Sequence, residues 1–286
     1  MLTVLLGFAA SVVYGFADFF GGLATRKINA MMVTLISGLS GFFFLLLLSP
    51  WMGLPLDSES MFWGIMAGLF ACVAVTALYA SLAIGPIAIL SPLGAIVSAL
   101  VPMGFGLFFR GESFTTVGIC ALLGIVVAVG LVGFVPGADI RLPSVKGLTL
   151  GLVAGMSIGG ILICVSQAPA DSGLTPIVFL RGSSAVIMAL IIGVSMLTKR
   201  SVASPAAVRN DWWVTILAGV LDASANMLFL NAMRTGELTI VAVLTALYPL
   251  GTIILARVIL HEKIAKIQLA GVLLALSCSA LLASGL

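Results

Sequence analysis

Three ionisable side chains stand where the sequence otherwise avoids water. Asp18 lies inside YGFADFFGG (14–22), Arg181 inside FLRGSS (179–184) and Asp222 inside GVLDASAN (219–226), each within a long apolar run. A charge at the centre of an apolar helix costs about 2.5–3.5 kcal/mol on insertion scales, so such residues face a bundle interior and mark a path for ions or solutes. On a helix Tyr14 and Ser11 precede Asp18 on its own face, and Asn226 follows Asp222 by one turn. Asp18 is too deep to reach the surface: the rise of a helix from it to Arg26 is roughly 12 Å.

The chemistry open to this set is limited. An Asp and an Arg can form a fixed pair that joins two helices. Alternatively Asp18 or Asp222 exchanges a proton as the site turns from one side of the membrane to the other, coupling proton flow to a solute. The candidate solute-binding residues are Tyr14, Asp18, Ser91, Arg181, Asp222, Asn226, Thr245 and Tyr248, with Asp18 and Asp222 as the proton-coupling groups. Two acids, one arginine, an amide and two tyrosines suit a small zwitterionic or cationic solute of amino-acid type. Arg181 would take a carboxylate by a forked hydrogen bond, an acid would take an amine, and the rings would take an apolar body or a cation. If Arg181 is committed to one of the acids in every state, a cationic or neutral solute fits better.

Neither a cofactor nor a metal is expected. The one histidine, His261, sits in the connector HEK without ligand partners, and Cys72, Cys120, Cys164 and Cys278 are isolated in apolar segments as small packing residues. A membrane-embedded enzyme would need a nucleophile with a base or a metal set, and none assembles.

The elements that position these residues follow from composition. Of 286 residues 62% are hydrophobic and 8% charged, the signature of an integral membrane protein. Stretches of about 20 apolar residues span a bilayer core. They are read at Leu2–Leu23, Met31–Leu48, Met61–Ile84, Pro86–Phe108, Thr115–Phe134, Gly147–Val165, Pro176–Leu197, Trp212–Met233, Leu238–Leu260 and Ile264–Ala283, ten spans in all. The connectors are too short for a soluble domain, which leaves a small solute, protons and the bilayer as partners, with no nucleic acid. A monomer suffices. The uncharged start and the Asp18 interruption argue that the first helix is retained rather than cleaved as a leader. Odd connectors and their flanks carry Arg26, Lys27, Arg141, Lys146, Lys199, Arg200, Arg209, Arg257, Lys263 and Lys266, against Arg110, Arg181 and Arg234 for the even ones. That bias puts both termini outside.

The halves fall into partial register. Gly7, Ala10 and Gly15 match Gly151, Ala154 and Gly159 at an offset of 144, Gly68 and Gly85 match Gly219 and Gly236 at 151, and Glu112 matches Glu262 at 150. Residues 1–140 and 141–286 therefore read as two five-helix repeats, and an odd number of spans per repeat inverts the second, the arrangement that supports alternating access. Gly7, Ser11 and Gly15, and again Gly147, Gly151, Gly155 and Gly159, form small-residue stripes for close helix contact. Pro92 and Pro102 in the fourth span and Pro249 in the ninth each remove a backbone bond, so both spans are expected to kink or break, a marker of a transporter's central site. Glu112 and Glu262 end these spans and are expected to bond backbone amides or basic groups at the helix junctions.

Together YGFADFFGG with TRK, AIGPIAILSPLGAIVSALVPMGFGLFFRGES, FLRGSS, the run from GVLDASAN to LYPLGTIILARVILHEK, and QLAGVLLAL resemble the EamA-like branch of the drug/metabolite transporter superfamily. The resemblance covers nearly the whole chain and implies an all-α membrane protein of ten helices in two five-helix repeats, in a bacterial inner membrane, with Asp18, Asp222 and Asn226 of functional importance. It departs in one place: an arginine common in the second helix of each repeat appears as Arg181, whereas Ser37 stands at the matching position of the first half. Relatives are drawn with both termini in the cytoplasm, against the charge bias. The activity implied is secondary transport of a small organic metabolite, proton-coupled; an uncoupled facilitator or exporter of cationic solutes, or a non-transporting structural or sensor protein, are the alternatives.

Overall fold

The computed structural model describes residues 1–25, 28–84, 87–133, 143–197, 212–259 and 265–283. Among the described residues the secondary structure is helical throughout: α1 (Leu2–Thr25), α2 (Ala30–Met52), α3 (Ser58–Ile84), α4 (Ile87–Phe109), α5 (Thr116–Gly133), α6 (Val145–Ser166), α7 (Thr175–Leu197), α8 (Trp212–Met233), α9 (Leu238–Thr245), α10 (Pro249–Ile259) and α11 (Lys266–Ala283). In hydrocarbon every backbone amide needs an internal partner, which helices alone supply within one segment. Six of these helices, α1, α2, α3, α6, α7 and α8, are long and apolar enough to cross a membrane, and shorter apolar helices make up the rest. Phe43, Leu47, Leu190, Val194 and Leu273 are exposed on the outside of the bundle, as lipid-facing residues should be. The junction between residues 140 and 141 lies outside the described residues, as do His261, Glu262 and, on the odd connectors, Arg26, Lys27, Arg141, Lys199, Arg200, Arg209 and Lys263.

Helix starts follow local capping chemistry. The Asn29 side chain accepts from the Met31 amide at 2.8 Å and the Ser144 hydroxyl from Gly147 at 3.1 Å. Asp57 accepts from Ser60 at 2.7 Å ahead of α3. Each satisfies an amide that the first turn leaves bare.

The ninth predicted span is divided. Pro249 has no N–H, and the chain tightens over Ala246–Tyr248: Leu247 donates to Leu244 at 3.1 Å, Tyr248 to Thr245 at 3.1 Å and Leu250 to Leu247 at 2.9 Å. The Thr245 carbonyl, which residue 249 cannot serve, thereby gains the Tyr248 amide. The fourth span does not break: α4 is helical from Ile87 to Phe109, through Pro92 and Pro102. A proline removes a single bond and leaves the bonds on either side available, so it does not by itself break the helix.

The packing brings distant parts of the chain together. Helix α1 lies mainly on α8 and along α9 and α10; α6 lies on α3 and α4; α2 lies on α7 and α8; α3 on α7; and α5 on α11. Three buried clusters result among the described residues: one holds Ala10, Leu45, Leu162, Ile177, Phe229 and Val241, the second Val4, Ala99, Ile125, Val129, Leu244 and Ala275, and a small third Ala24, Ile28, Val33 and Val214. Of the cysteines, Cys72, Cys164 and Cys278 are buried packing residues, while Cys120 is exposed on α5.

One end of the bundle is stitched by hydrogen bonds between connectors. Leu174 donates to Gly53 at 2.9 Å, Thr175 to Pro55 at 2.6 Å, Arg234 to Gly173 at 2.7 Å, Arg110 to Ser166 at 2.9 Å and Thr3 to Thr235 at 2.8 Å. The Glu112 carboxylate spans the first turn of α9, accepting from Leu238 at 2.8 Å and Thr239 at 3.0 Å. Beyond this end lies a shallow depression of about 340 Å³ bordered by Pro55, Asp57, Glu59, Pro169 and Asp171, which touches none of the candidate site residues.

Candidate functional site

Three helices and the break between α9 and α10 carry the polar set. Helix α8 turns Asp222 toward α7, where Arg181 Nη1 lies 2.6 Å from Asp222 Oδ2. Asn226, buried one turn later, donates from Nδ2 to the Asp222 carbonyl at 2.8 Å and to Asp222 Oδ1 at 3.4 Å, so both its contacts hold Asp222. Arg181 is itself buried, and among the described residues its Nε has no partner. Asp222 is 33% exposed, which leaves one side of the pair open in the middle of a helix.

Helix α1 supplies the other acid. Asp18 is exposed, although its chain neighbours Ala17 and Phe19 are buried. Among the described residues it makes no hydrogen bond and no ion pair. It interacts electrostatically with Asp222 and with Tyr248, and Tyr14 interacts with Asp222, Arg181 and Asp18. Past Asp18 on the same helix, a Cβ at Gly21 or Gly22 would meet nothing within 4 Å, so the open face continues toward the end of α1.

Of the eight expected site residues, the ion pair and hydrogen bonds join Arg181, Asp222 and Asn226, while Tyr14 and Asp18 flank Gly15 on α1, against which the Tyr248 carbonyl lies. Thr245 is buried at the end of α9 with a hydroxyl that has no partner among the described residues. The side chain of Ser91 lies outside the described residues. Ser11, on the Asp18 face, donates to the Phe8 carbonyl at 2.7 Å and is occupied within its own helix.

Sequence reasoning missed what sets α1 against the break. Gly15 and Gly251 cross back to back: a Cβ on Gly15 would fall 2.6 Å from the Gly251 Cα and 2.7 Å from the Thr252 nitrogen. Thr252 donates from Oγ1 to the Gly15 carbonyl at 3.1 Å. The signal was the glycine pair itself, since backbones touch only where neither carries a side chain.

A buried acid–base pair with a free carboxylate beside it, next to an interrupted helix, is an arrangement found at transport sites. Residues 145–284 match the EamA-like transporter family. The EamA match runs from α6 to α11 and holds Arg181, Asp222, Asn226, Thr245 and Tyr248, while Tyr14 and Asp18 lie before it. It agrees with the drug/metabolite transporter superfamily that the motifs resemble, a family of transporters and not of enzymes. A solved crystal structure aligns with 98% of this chain and 96% of its own at a TM-score of 0.77 and 17% identity, a likeness in fold across the whole length. Nothing matches among the curated proteins. The chain is thus a multi-pass membrane protein, transporter-like in the half that the EamA model covers.

Proposed function

We propose that the protein is a secondary transporter that moves a small organic cation across a bacterial inner membrane by alternating access, in exchange for protons, as a monomer and without a cofactor. The observation that carries this reading is the division of labour between the two acids. Arg181 neutralises Asp222, so it is not free to hold a carboxylate, and Asp18 remains as an accessible carboxylate near two tyrosine rings. That surplus of one negative charge favours a cation or a proton over a zwitterion held at both ends. Asp18 would bind either, but not both at once, which is the minimal requirement for exchange.

Ten crossings in two inverted repeats are part of the proposal. Helix α1 packs on α8 as α6 packs on α3, and α1 lies along α9–α10 as α6 lies along α4. Specific contacts repeat under the offsets of 144 and 151: Gly7 meets Leu244 as Gly151 meets Leu93, and Gly15 meets Thr252 as Gly159 meets Val101. The connectors that stitch one end are those that even numbering assigns to one face, together with Thr3, which supports chain reversal at each span. With that end stitched and the Asp18 face open past Gly22, the site would face the side where α1 ends at Thr25, the cytoplasmic side under the charge bias.

The test is transport in proteoliposomes carrying a pH gradient, reading gradient dissipation on adding amino acids, polyamines, quaternary amines or sugars. Cationic amines are expected to dissipate the gradient, and D18N to abolish the response at unchanged folded yield. A response confined to neutral or anionic solutes, or one retained in D18N, would overturn the reading.

A further inference from the structure

We infer that Thr252 is a positioning residue of this site, and that its hydroxyl sets where Tyr248 stands relative to Asp18. The inference rests on the reading of Asp18 and Tyr248 as parts of one site. Because the helix is interrupted at Ala246–Tyr248, continuity with α9 does not fix the direction or register of α10. Something outside that helix must. The Gly15–Gly251 crossing sets how closely α10 approaches α1, and the Tyr248 carbonyl lies against Gly15 in the same contact. A smooth backbone crossing fixes distance but permits sliding and rotation. The bond from Thr252 Oγ1 to the Gly15 carbonyl, at 3.1 Å, removes that freedom, because it ties one atom of α10 to one atom of α1.

The tie is local to the site on both sides. Gly15 stands between Tyr14 and Asp18 on α1. Tyr248 immediately precedes α10, the helix that Thr252 ties down, and the Thr252 amide points back to the Tyr248 carbonyl, at 3.5 Å. Within α1 the Gly15 carbonyl is the acceptor for the amide four residues on, so it takes the threonine as a second donor and no helical bond is given up. Thr252 need not touch a solute. It acts through Tyr248.

The three tyrosines make this measurable without any solute. Purified protein labelled with 3-fluorotyrosine gives resonances assignable by Tyr→Phe substitution. With Thr252 intact, D18N is expected to shift the resonances of both Tyr14 and Tyr248. In T252V, which keeps shape and removes the donor, D18N should still shift Tyr14 but leave Tyr248 unmoved, and T252S should restore the Tyr248 response. An undiminished Tyr248 response in T252V overturns the inference; if T252V does not fold, T252A is read against T252S in the same way. Should D18N move neither tyrosine even with Thr252 intact, the shared site itself fails. Loss of transport without these spectral changes would count against the positioning role alone.

Discussion

Replacing Glu112 tests how one half of the chain completes a helix of the other. Its carboxylate accepts from the amides of Leu238 and Thr239 at 2.8 and 3.0 Å, ahead of a helix of only 8 residues. A hydrogen bond to a charged group is worth about 1.5–3 kcal/mol, and an anion at a helix N-terminus adds about 0.3–1 kcal/mol of dipole interaction. Glu112 is half-buried, so water can take over part of its role and the lower values apply. E112Q keeps one neutral acceptor and turns an amide donor toward the second N–H, for a loss of about 1.5–2 kcal/mol; E112A bares both amides, for about 3 kcal/mol. Gly106 offers an internal control, because a Cβ there would collide with Glu112 Oε2 and Thr239 Oγ1. G106A should therefore displace the carboxylate and destabilise the protein, and its cost should shrink in an E112A background by a coupling of about 0.5–3 kcal/mol, as for residues in contact. Equilibrium unfolding in mixed micelles, followed by tryptophan fluorescence and helix content, measures both quantities. E112Q within about 0.5 kcal/mol of the parent, the range of an ordinary surface substitution, would refute the assignment of Glu112 as the cap of α9.

R181A should destabilise the protein by about 3 kcal/mol, the lower end for one partner lost from a buried pair, since Asp222 keeps some access to water. R181L with D222L should recover most of that loss in the same unfolding assay while transport stays absent; equal destabilisation by single and double variants would show that the pair is not the cause. The Asp57 carboxyl is held below the usual carboxylate range, first by the Ser60 amide. A depressed folded pKa gives stability that is present above the unfolded value of about 3.9 and is lost as pH falls through the lower folded value. The difference in melting temperature between the parent and D57A should accordingly stand at neutral pH and vanish in acid below that range; a difference that persisted there would contradict it. G15A should prevent α10 from seating on α1 and destabilise the protein in the same unfolding assay, whereas G22A, where a Cβ meets nothing within 4 Å, should not; equal effects of the two would refute the crossing.

The helices were legible because lipid leaves few alternatives: α8 runs from Trp212 to Met233 as read, and α1 and α7 differ from the reading by a residue or two at their ends. The break before Pro249 was legible from a missing N–H, but the same missing N–H at Pro102 opens no break, because whether one lost bond opens a helix depends on neighbours that a single segment does not reveal. Asp18, Arg181 and Asp222 stood out by their cost in an apolar setting. Which acid the arginine takes was not readable, since that depends on how α7 and α8 rotate about their axes, a property of the whole bundle. Glu112 pointed to backbone amides at a junction, without telling that they belong to α9. Thr252 gave no signal at all: a threonine in an apolar run is ordinary until its partner, the carbonyl of Gly15, is known.

The cap on α9 carries a message about biosynthesis. Its acceptor and its donors are 126 residues apart in the chain, so the carboxylate leaves the ribosome long before the amides it serves. Through that interval an anionic side chain waits at the rim of a half-built bundle, and the short helix, once inserted, has bare amides until it finds that rim. Severed halves would each expose what the other conceals. Maturation of this junction is therefore a joint event that neither half completes alone.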